Sequence, residues 1–302
     1  MKTITFFSEK GGMGKTTLSV MFASFLAYRC EREVYVADCD FPNFQFDSIR
    51  KRELEIFKNS EGLVPKSRND IFRREVLKNY DAPYPIAQWR GRLNPTKSDM
   101  DKYIEQVASH KRQMNGYFIF DFPGRFLEND IAYGLMTAGL MDIVVCLVDS
   151  DPQSIQSAMY INATLKKVQK AGGQRVVILW NKELASERKN EQINRTLKEK
   201  GLSEEELRNC LKKDWYKDQN NLFAACGIPV ISKRVHNIDV ARRDPTPDTP
   251  GFIRSTMCWP EINIKRSCPY MIDIFTEIKE FLDNTTDVSS LDFGTEMSNR
   301  KI

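Results

Sequence analysis

The sequence predicts a three-layer α/β/α fold with a mostly parallel sheet. Three observations carry that expectation. Apolar segments of strand length recur along the chain, stretches of helical apolar spacing separate them, and the segments end on a glycine-rich loop, an aspartate or an asparagine. Alternation of this kind favours parallel strands covered by helices on both faces. The 302 residues are enough for one such domain. It is expected to span 1–284, with 285–302 as a flexible tail. Two segments interrupt the alternation: a charged helical stretch, 50–115, with one short strand near Ile86, and a Lys/Glu/Asn/Gln-rich helical stretch, 183–221.

The first strand holds Ile4-Thr5-Phe6-Phe7 and runs into Lys10-Gly11-Gly12-Met13-Gly14-Lys15-Thr16-Thr17. Leu18, Met21, Phe22, Phe25 and Leu26 then follow at helical spacing. Strand, glycine-rich loop and helix together make a phosphate cradle, the P-loop of nucleoside triphosphatases. Glycines let backbone N–H groups turn inward and approach phosphate oxygens closely, and the helix N-terminus adds partial positive charge. Lys15 supplies a point charge for the outer phosphates, and the Thr16 hydroxyl is placed to ligate Mg²⁺. The usual G-x-x-x-x-G-K-[ST] pattern is not met, because Glu9 stands at its first glycine and a second lysine, Lys10, follows.

The second strand, Val34-Tyr35-Val36-Ala37, closes on Asp38-Cys39-Asp40-Phe41-Pro42-Asn43. Carboxylates at i and i+2 share one side of a strand end, and at the C-terminal edge of a parallel sheet they face the ligand crevice. The third element, Tyr117-Phe118-Ile119-Phe120, closes on Asp121-Phe122-Pro123-Gly124, a buried strand feeding a sharp turn. Two further strands are expected, within 142–148 before Asp151-Pro152-Gln153-Ser154 and within 175–180 before Asn181-Lys182. A closing amphipathic helix is expected over 272–282, from Ile274, Phe275, Ile278, Phe281 and Leu282.

Composition limits the function classes. Hydrophobic content of 41% with 28% charged residues is that of a soluble globular protein. No run approaches the roughly 18 apolar residues of a membrane span, and the first apolar segment reads as a core strand, so a cytoplasmic location is expected. Seven cysteines without C-x-x-C spacing read as reduced thiols, and two histidines make a Cys/His zinc site a poor prospect. A net charge of +4 does not by itself select nucleic acid, but Lys233-Arg234 and Arg242-Arg243 are pairs able to track duplex phosphates.

The loop K-G-G-x-G-K-T-T, with the D-x-D and D-x-P-G elements in order behind it, resembles the ParA/MinD family of deviant-Walker P-loop ATPases. The resemblance covers almost the whole chain. Two stretches, Asp38 to Glu53 and Arg254-Ser255-Thr256-Met257 with Trp259-Pro260 and Lys265-Arg266-Ser267, are similar to the TraA group of ParA-like proteins, encoded on conjugative transposons beside transfer genes. The resemblance implies a Mg-ATP-binding homodimer in which two nucleotides are sandwiched face to face.

It further implies roles for individual residues. Lys10, Gly11, Gly12, Met13, Gly14, Lys15, Thr16 and Thr17 would hold the phosphates, with Lys10 reaching the partner's nucleotide. Asp40 would orient the attacking water, which with Lys10 and Lys15 makes the catalytic set. Thr16, Asp38, Asp40 and Asp121 would surround the metal, while Asp121, Pro123 and Gly124 form a γ-phosphate switch. Asn181 would bond the adenine edge. Phe41-Pro42-Asn43 departs from the commoner Pro-Gln of relatives.

Two functions follow from the resemblance. One is an ATPase switch in DNA partition or conjugative transfer, binding non-specific duplex DNA with a ParB-like or transfer-machinery partner. The other is a protein-positioning scaffold ATPase without DNA contact. The tail lacks the basic amphipathic helix of membrane-cycling relatives, so no membrane partner is expected. A metabolic enzyme of the same class fits less well: no cysteine lies between Asp121 and Met141 to hold a shared iron–sulfur cluster.

Overall fold

The computed structural model of the protein describes residues 1–60, 84–89, 96–127, 130–168, 175–182, 201, 215–235 and 252–285. Six strands form one sheet: β1 (Lys2–Phe7), β2 (Val34–Asp38), β3 (Ile86–Gln88), β4 (Tyr117–Asp121), β5 (Ile143–Val148) and β6 (Arg175–Trp180). Their order is β3-β2-β4-β1-β5-β6, and every pair is parallel. The short strand expected near Ile86 is β3, at the sheet edge.

Eight helices accompany the strands among the described residues: α1 (Lys15–Ser24), α2 (Gln45–Ser60), α3 (Lys97–Gln113), α4 (Ile131–Thr137), α5 (Pro152–Val168), α6 (Trp215–Ala225), α7 (Glu261–Ser267) and α8 (Met271–Asp283). A π-helical turn over Phe25–Arg29 extends α1. Thr96 and Asp99 form a reciprocal capping box that starts α3. Most of the 183–221 stretch, Arg242, Arg243 and the tail beyond residue 285 lie outside the described residues.

Period-two alternation in each strand produces two cores. Ile4, Phe6, Val36, Ile119, Val145 and Leu179 pack beneath α1, α2, α7 and α8. Phe7, Ala37, Phe120, Val144, Cys146 and Trp180 pack beneath α3, α4, α5 and α6. Both faces are apolar, as a parallel sheet covered by helices requires. The closing helix predicted from its apolar stripe is α8, and Phe275 meets Phe22 of α1 edge-on at 5.3 Å.

A buried polar network joins the chain's end to its beginning. Phe252 to Pro260 threads between α1 and α2 as a fully buried segment without regular structure. Ser24 and Tyr28, on and just beyond α1, donate to the carbonyls of Ser255 and Thr256. From α2, Arg50 donates to the Thr256 hydroxyl at 2.7 Å and its carbonyl at 2.8 Å, while Glu53 accepts from the Thr256 N–H and hydroxyl. These bonds satisfy backbone groups that a buried loop would otherwise leave orphaned.

Burial pushes the Glu53 carboxyl up to about 7 from an ordinary 4.5, against the pull of Thr256. The folded chain therefore holds this proton more tightly than the unfolded chain. Its contribution to stability is complete below about pH 4.5 and is lost as pH rises through about 7. Glu53→Gln, which cannot ionise, should gain about 3 kcal/mol on the parent across that window. Urea midpoints at pH 4.5 and pH 8 measure the gap; a gap that stays constant contradicts the assignment.

Candidate functional site

The register of the sheet assembles the site before any side chain is considered. β4 lies between β2 and β1, and Asp38 pairs with Asp121 across the β2–β4 ladder. β1, next to β4, releases its loop at the same edge. The aspartates that close two separate strands therefore stand side by side, next to the glycine-rich loop. This is the C-terminal edge of the parallel strands, where open α/β sheets bind ligands.

Within the loop, Gly12 and Gly14 hold φ of +68° and +81°, left-handed values that favour glycine. Gly14 caps α1, and the Leu18 N–H bonds its carbonyl at 2.9 Å. The Met13 side chain is fully buried and pins the loop to the core, while Gly11 and Gly12 are exposed. Gly124 sits close against the loop: a Cβ there would fall 2.8 Å from Lys15 Nζ and 2.9 Å from the Ser8 carbonyl. The turn after β4 thus leaves the space that the Lys15 ammonium occupies.

The charges converge. Burial pulls the Lys15 ammonium down, opposed by the fields of Asp121 and Asp40. Asp121 is fully buried and is pushed up to about 7, first by burial and then by Asp38 beside it. Its Oδ2 has no hydrogen-bond partner, whereas Oδ1 lies 3.4 Å from the Ser19 hydroxyl and the Thr16 side chain opposes the upward shift. Asp38 is held by the backbone N–H groups of Asp40 at 3.3 Å and Asp47 at 2.9 Å. Asp40 is raised by burial, with Lys15 and Asn43 opposing the shift.

These groups fit a magnesium–phosphate ligand. The unpartnered oxygen of Asp121 and the Thr16 hydroxyl offer two hard oxygen positions next to an ammonium that needs anionic company. No group of three or more His, Cys, Asp or Glu among the described residues could hold an ion alone. Magnesium characteristically takes one or two protein oxygens and completes its shell with phosphate and water.

Two placements were not expected from the sequence. Lys10 is engaged within its own chain: its Nζ lies 2.7 Å from Asp149 Oδ2 and 2.9 Å from Asp151 Oδ2, both just past β5. Asp149 first and Asp151 second raise the Lys10 pKa through these bonds. Asn181, expected at an adenine edge, is buried and donates from Nδ2 to the Met13 carbonyl at 2.5 Å, while Oδ1 accepts from the Lys182 N–H. Lys182 has φ of +58°, and its Nζ lies 3.9 Å from where a Cβ on Gly12 would stand. A third lysine therefore overlooks the loop, signalled only by the Asn181-Lys182 pair after β6.

Of the four cations expected at DNA, two are described. Lys233 is exposed and lies over the Tyr270 ring at 5.2 Å; Arg234 stacks on Tyr216 at 3.8 Å. Both are on the segment after β6, which continues from the bridge between Val230 and Ile178. Lys10, Gly11 to Thr17, Asp38, Asp40, Asp121, Pro123, Gly124 and Asn181 all lie at the one sheet edge.

A parallel sheet whose central strand opens into a two-lysine glycine loop, flanked by strand-end aspartates, defines a phosphate-loop nucleotide-binding protein. The chain belongs to the CobQ/CobB/MinD/ParA nucleotide binding domain family, whose model matches residues 4–284. Among solved structures it is similar to the cell division protein MinD of Aquifex aeolicus: 18% identity, 93% of this chain and 98% of that one covered, TM-score 0.51. It is also similar to the septum site-determining protein MinD complexed with Mg-ADP from Pyrococcus horikoshii OT3, at 15% identity, 95% and 99% coverage and TM-score 0.51. A ParA family ATPase from Chlorobium tepidum TLS matches at 15% identity, 91% and 98% coverage and TM-score 0.49. No curated protein matches the sequence.

Proposed function

We propose that the protein is a Mg-ATP-dependent ATPase switch that dimerises around nucleotide and acts in DNA partition or conjugative DNA transfer. The observation that carries this is the convergence of Lys15, Thr16, Asp40 and Asp121 at the loop, with Lys10 beside it. Lys15 and the loop N–H groups bind the outer phosphates. Asp40, half-buried and next to Lys15, holds a water for in-line attack on the γ-phosphate. Bound magnesium would neutralise negative charge on the phosphates. Thr16 and Asp121 would hold it, with Asp38 fixed behind them by backbone bonds.

Lys10 supports the dimer reading by its position at the mouth of the loop, where its side chain is partly exposed. In the single chain its charge is matched by Asp149 and Asp151. To stabilise a partner's γ-phosphate it exchanges those two carboxylates for phosphate oxygens, one set of anions for another. The triphosphate alone offers enough anionic contacts for that exchange, so ATP and ADP favour different states.

The DNA role is tested by filter binding of the full chain to mixed-sequence duplex DNA with Mg-ATP or Mg-ADP. Binding that needs ATP, falls steeply with salt and is lost in the double variant Arg242→Glu, Arg243→Glu supports it. A second reading, a protein-positioning scaffold without DNA contact, is favoured by Arg234 already being stacked on Tyr216. Nucleotide-dependent capture of a protein partner, unaffected by the charge reversals and without DNA binding, would establish that reading instead.

A further inference from the structure

The two residues that open the phosphate loop are both tied sideways. Lys10 Nζ lies 2.7 Å from Asp149 Oδ2 and 2.9 Å from Asp151 Oδ2. Glu9, immediately before it, accepts a hydrogen bond from the Ser157 hydroxyl of α5. All three partners belong to the segment that leaves β5, which lies beside β1 on the side away from β4. Lys10 is therefore drawn to one flank of the loop, while Asp38 and Asp121 close their strands on the other.

The two carboxylates are set in place before the lysine arrives. Asp149 Oδ1 accepts from the Ser154 hydroxyl at 2.9 Å and from the Asp151 N–H at 3.1 Å. Asp151 Oδ1 accepts from the Gln153 N–H at 2.9 Å. Each carboxylate is thus fixed through one oxygen by its own segment and presents the other to Lys10. An ammonium has three donors, and this arrangement occupies two of them inside the same chain. Because the acceptors are already ordered, less side-chain entropy is lost on pairing than in an ordinary surface ion pair.

We propose that Asp149 and Asp151 form an intramolecular latch that withholds Lys10 from a second copy and so sets the protein concentration at which the triphosphate-bound dimer forms. This rests on the reading of Lys10 as a residue that reaches the partner's nucleotide. Opening the latch costs both Lys10–carboxylate contacts, and the phosphate oxygens of the partner's nucleotide return them. In a two-fold dimer each copy must open its own latch, so the cost enters the dimerisation constant twice.

The test is sedimentation velocity over a concentration series with a non-hydrolysable Mg-ATP analogue. The full chain is compared with Asp151→Asn and with the double variant Asp149→Asn, Asp151→Asn. Asparagine keeps an oxygen for the bonds from Ser154, Gln153 and the residue 151 N–H while removing the charge. Exposed ion pairs shift an equilibrium by about two- to fivefold each. With two pairs in each copy, the double variant should dimerise at about 10- to 100-fold lower concentration, and Asp151→Asn should fall between it and the parent. Adding Lys10→Ala to the double variant should return a monomer, because the latch acts only through that lysine. A second readout needs no dimer. Asp149 first and Asp151 second hold the Lys10 ammonium above the ordinary lysine range, so an amine-reactive ester should acylate Lys10 several-fold faster in the nucleotide-free double variant.

A folded double variant that dimerises at the parent's concentration overturns the proposal. So does one that needs a higher concentration, since the carboxylates would then assist the dimer, and so does Lys10 acylated at the parent's rate. If a thermal melt shows that the double variant does not fold, Asp151→Asn decides, its side chain being 39% exposed in the parent. Faster acylation in chains that stay monomeric with every nucleotide would instead sink the dimer reading, and with it the latch's purpose.

Discussion

Lys15→Ala should abolish measurable binding of ATP and of ADP while the chain without nucleotide keeps its fold. Its ammonium is the cation most enclosed by the loop, pulled down by burial and faced by the fields of Asp121 and Asp40. The Gly124 turn leaves room for it, and no aspartate makes a direct ion pair with it among those described. The apo chain thus holds a poorly satisfied cation, and the bound phosphates supply what it lacks. Removing the charge should weaken binding by at least about 100-fold, since hydrogen bonds to charged groups contribute about 1.5–3 kcal/mol each and two phosphates lose their contact together. Fluorescence titration with a labelled ADP, beside a circular-dichroism melt of the free variant, separates this outcome from unfolding. Retained affinity would mean that the loop is not the nucleotide site.

Asp40→Ala should have the opposite signature: ATP stays bound and turnover stops. The Asp40 carboxyl is half-buried, opposite Lys15, and its backbone position is set by the Phe44 N–H bonding its carbonyl at 2.8 Å. Removing the side chain leaves the loop, Thr16 and Asp121 in place, so the phosphates keep their contacts. On the proposed mechanism what is lost is the group that orients water, a contribution of about 10²–10⁴-fold in rate. Single-turnover phosphate release and light scattering, run on one preparation, should show slow release and a persistent ATP dimer. A variant that hydrolyses at the parent's rate would transfer the role to another residue.

Much of this architecture was legible in the sequence because its determinants are local. A strand, a glycine loop and a helix occupy consecutive residues, so β1 and α1 announce themselves between Lys2 and Ser24. Asp38 and Asp121 close apolar strands, and a parallel sheet gathers such ends at one edge. The stripe of Ile274, Phe275 and Ile278 likewise marked α8.

What the sequence hid is non-local. Lys10 meets carboxylates 139 and 141 positions away, and nothing near either end of that separation signals the pairing. The insertion of β4 between β2 and β1 is a matter of topology that no local residue pattern marks. Asn181 combines a local and a non-local feature. Its position at the strand end was legible, but its bond to the Met13 carbonyl belongs to the particular packing of this loop.

The central claim is that the terminal phosphate decides whether two copies associate. Sedimentation velocity of the chain at one concentration, with Mg-ADP, a non-hydrolysable Mg-ATP analogue or neither, tests it most directly. The account predicts a dimer with the triphosphate analogue alone, and a monomer in all three conditions for Lys10→Ala. The same sedimentation coefficient whichever nucleotide is present, or a Lys10→Ala chain that dimerises like its parent, would contradict it.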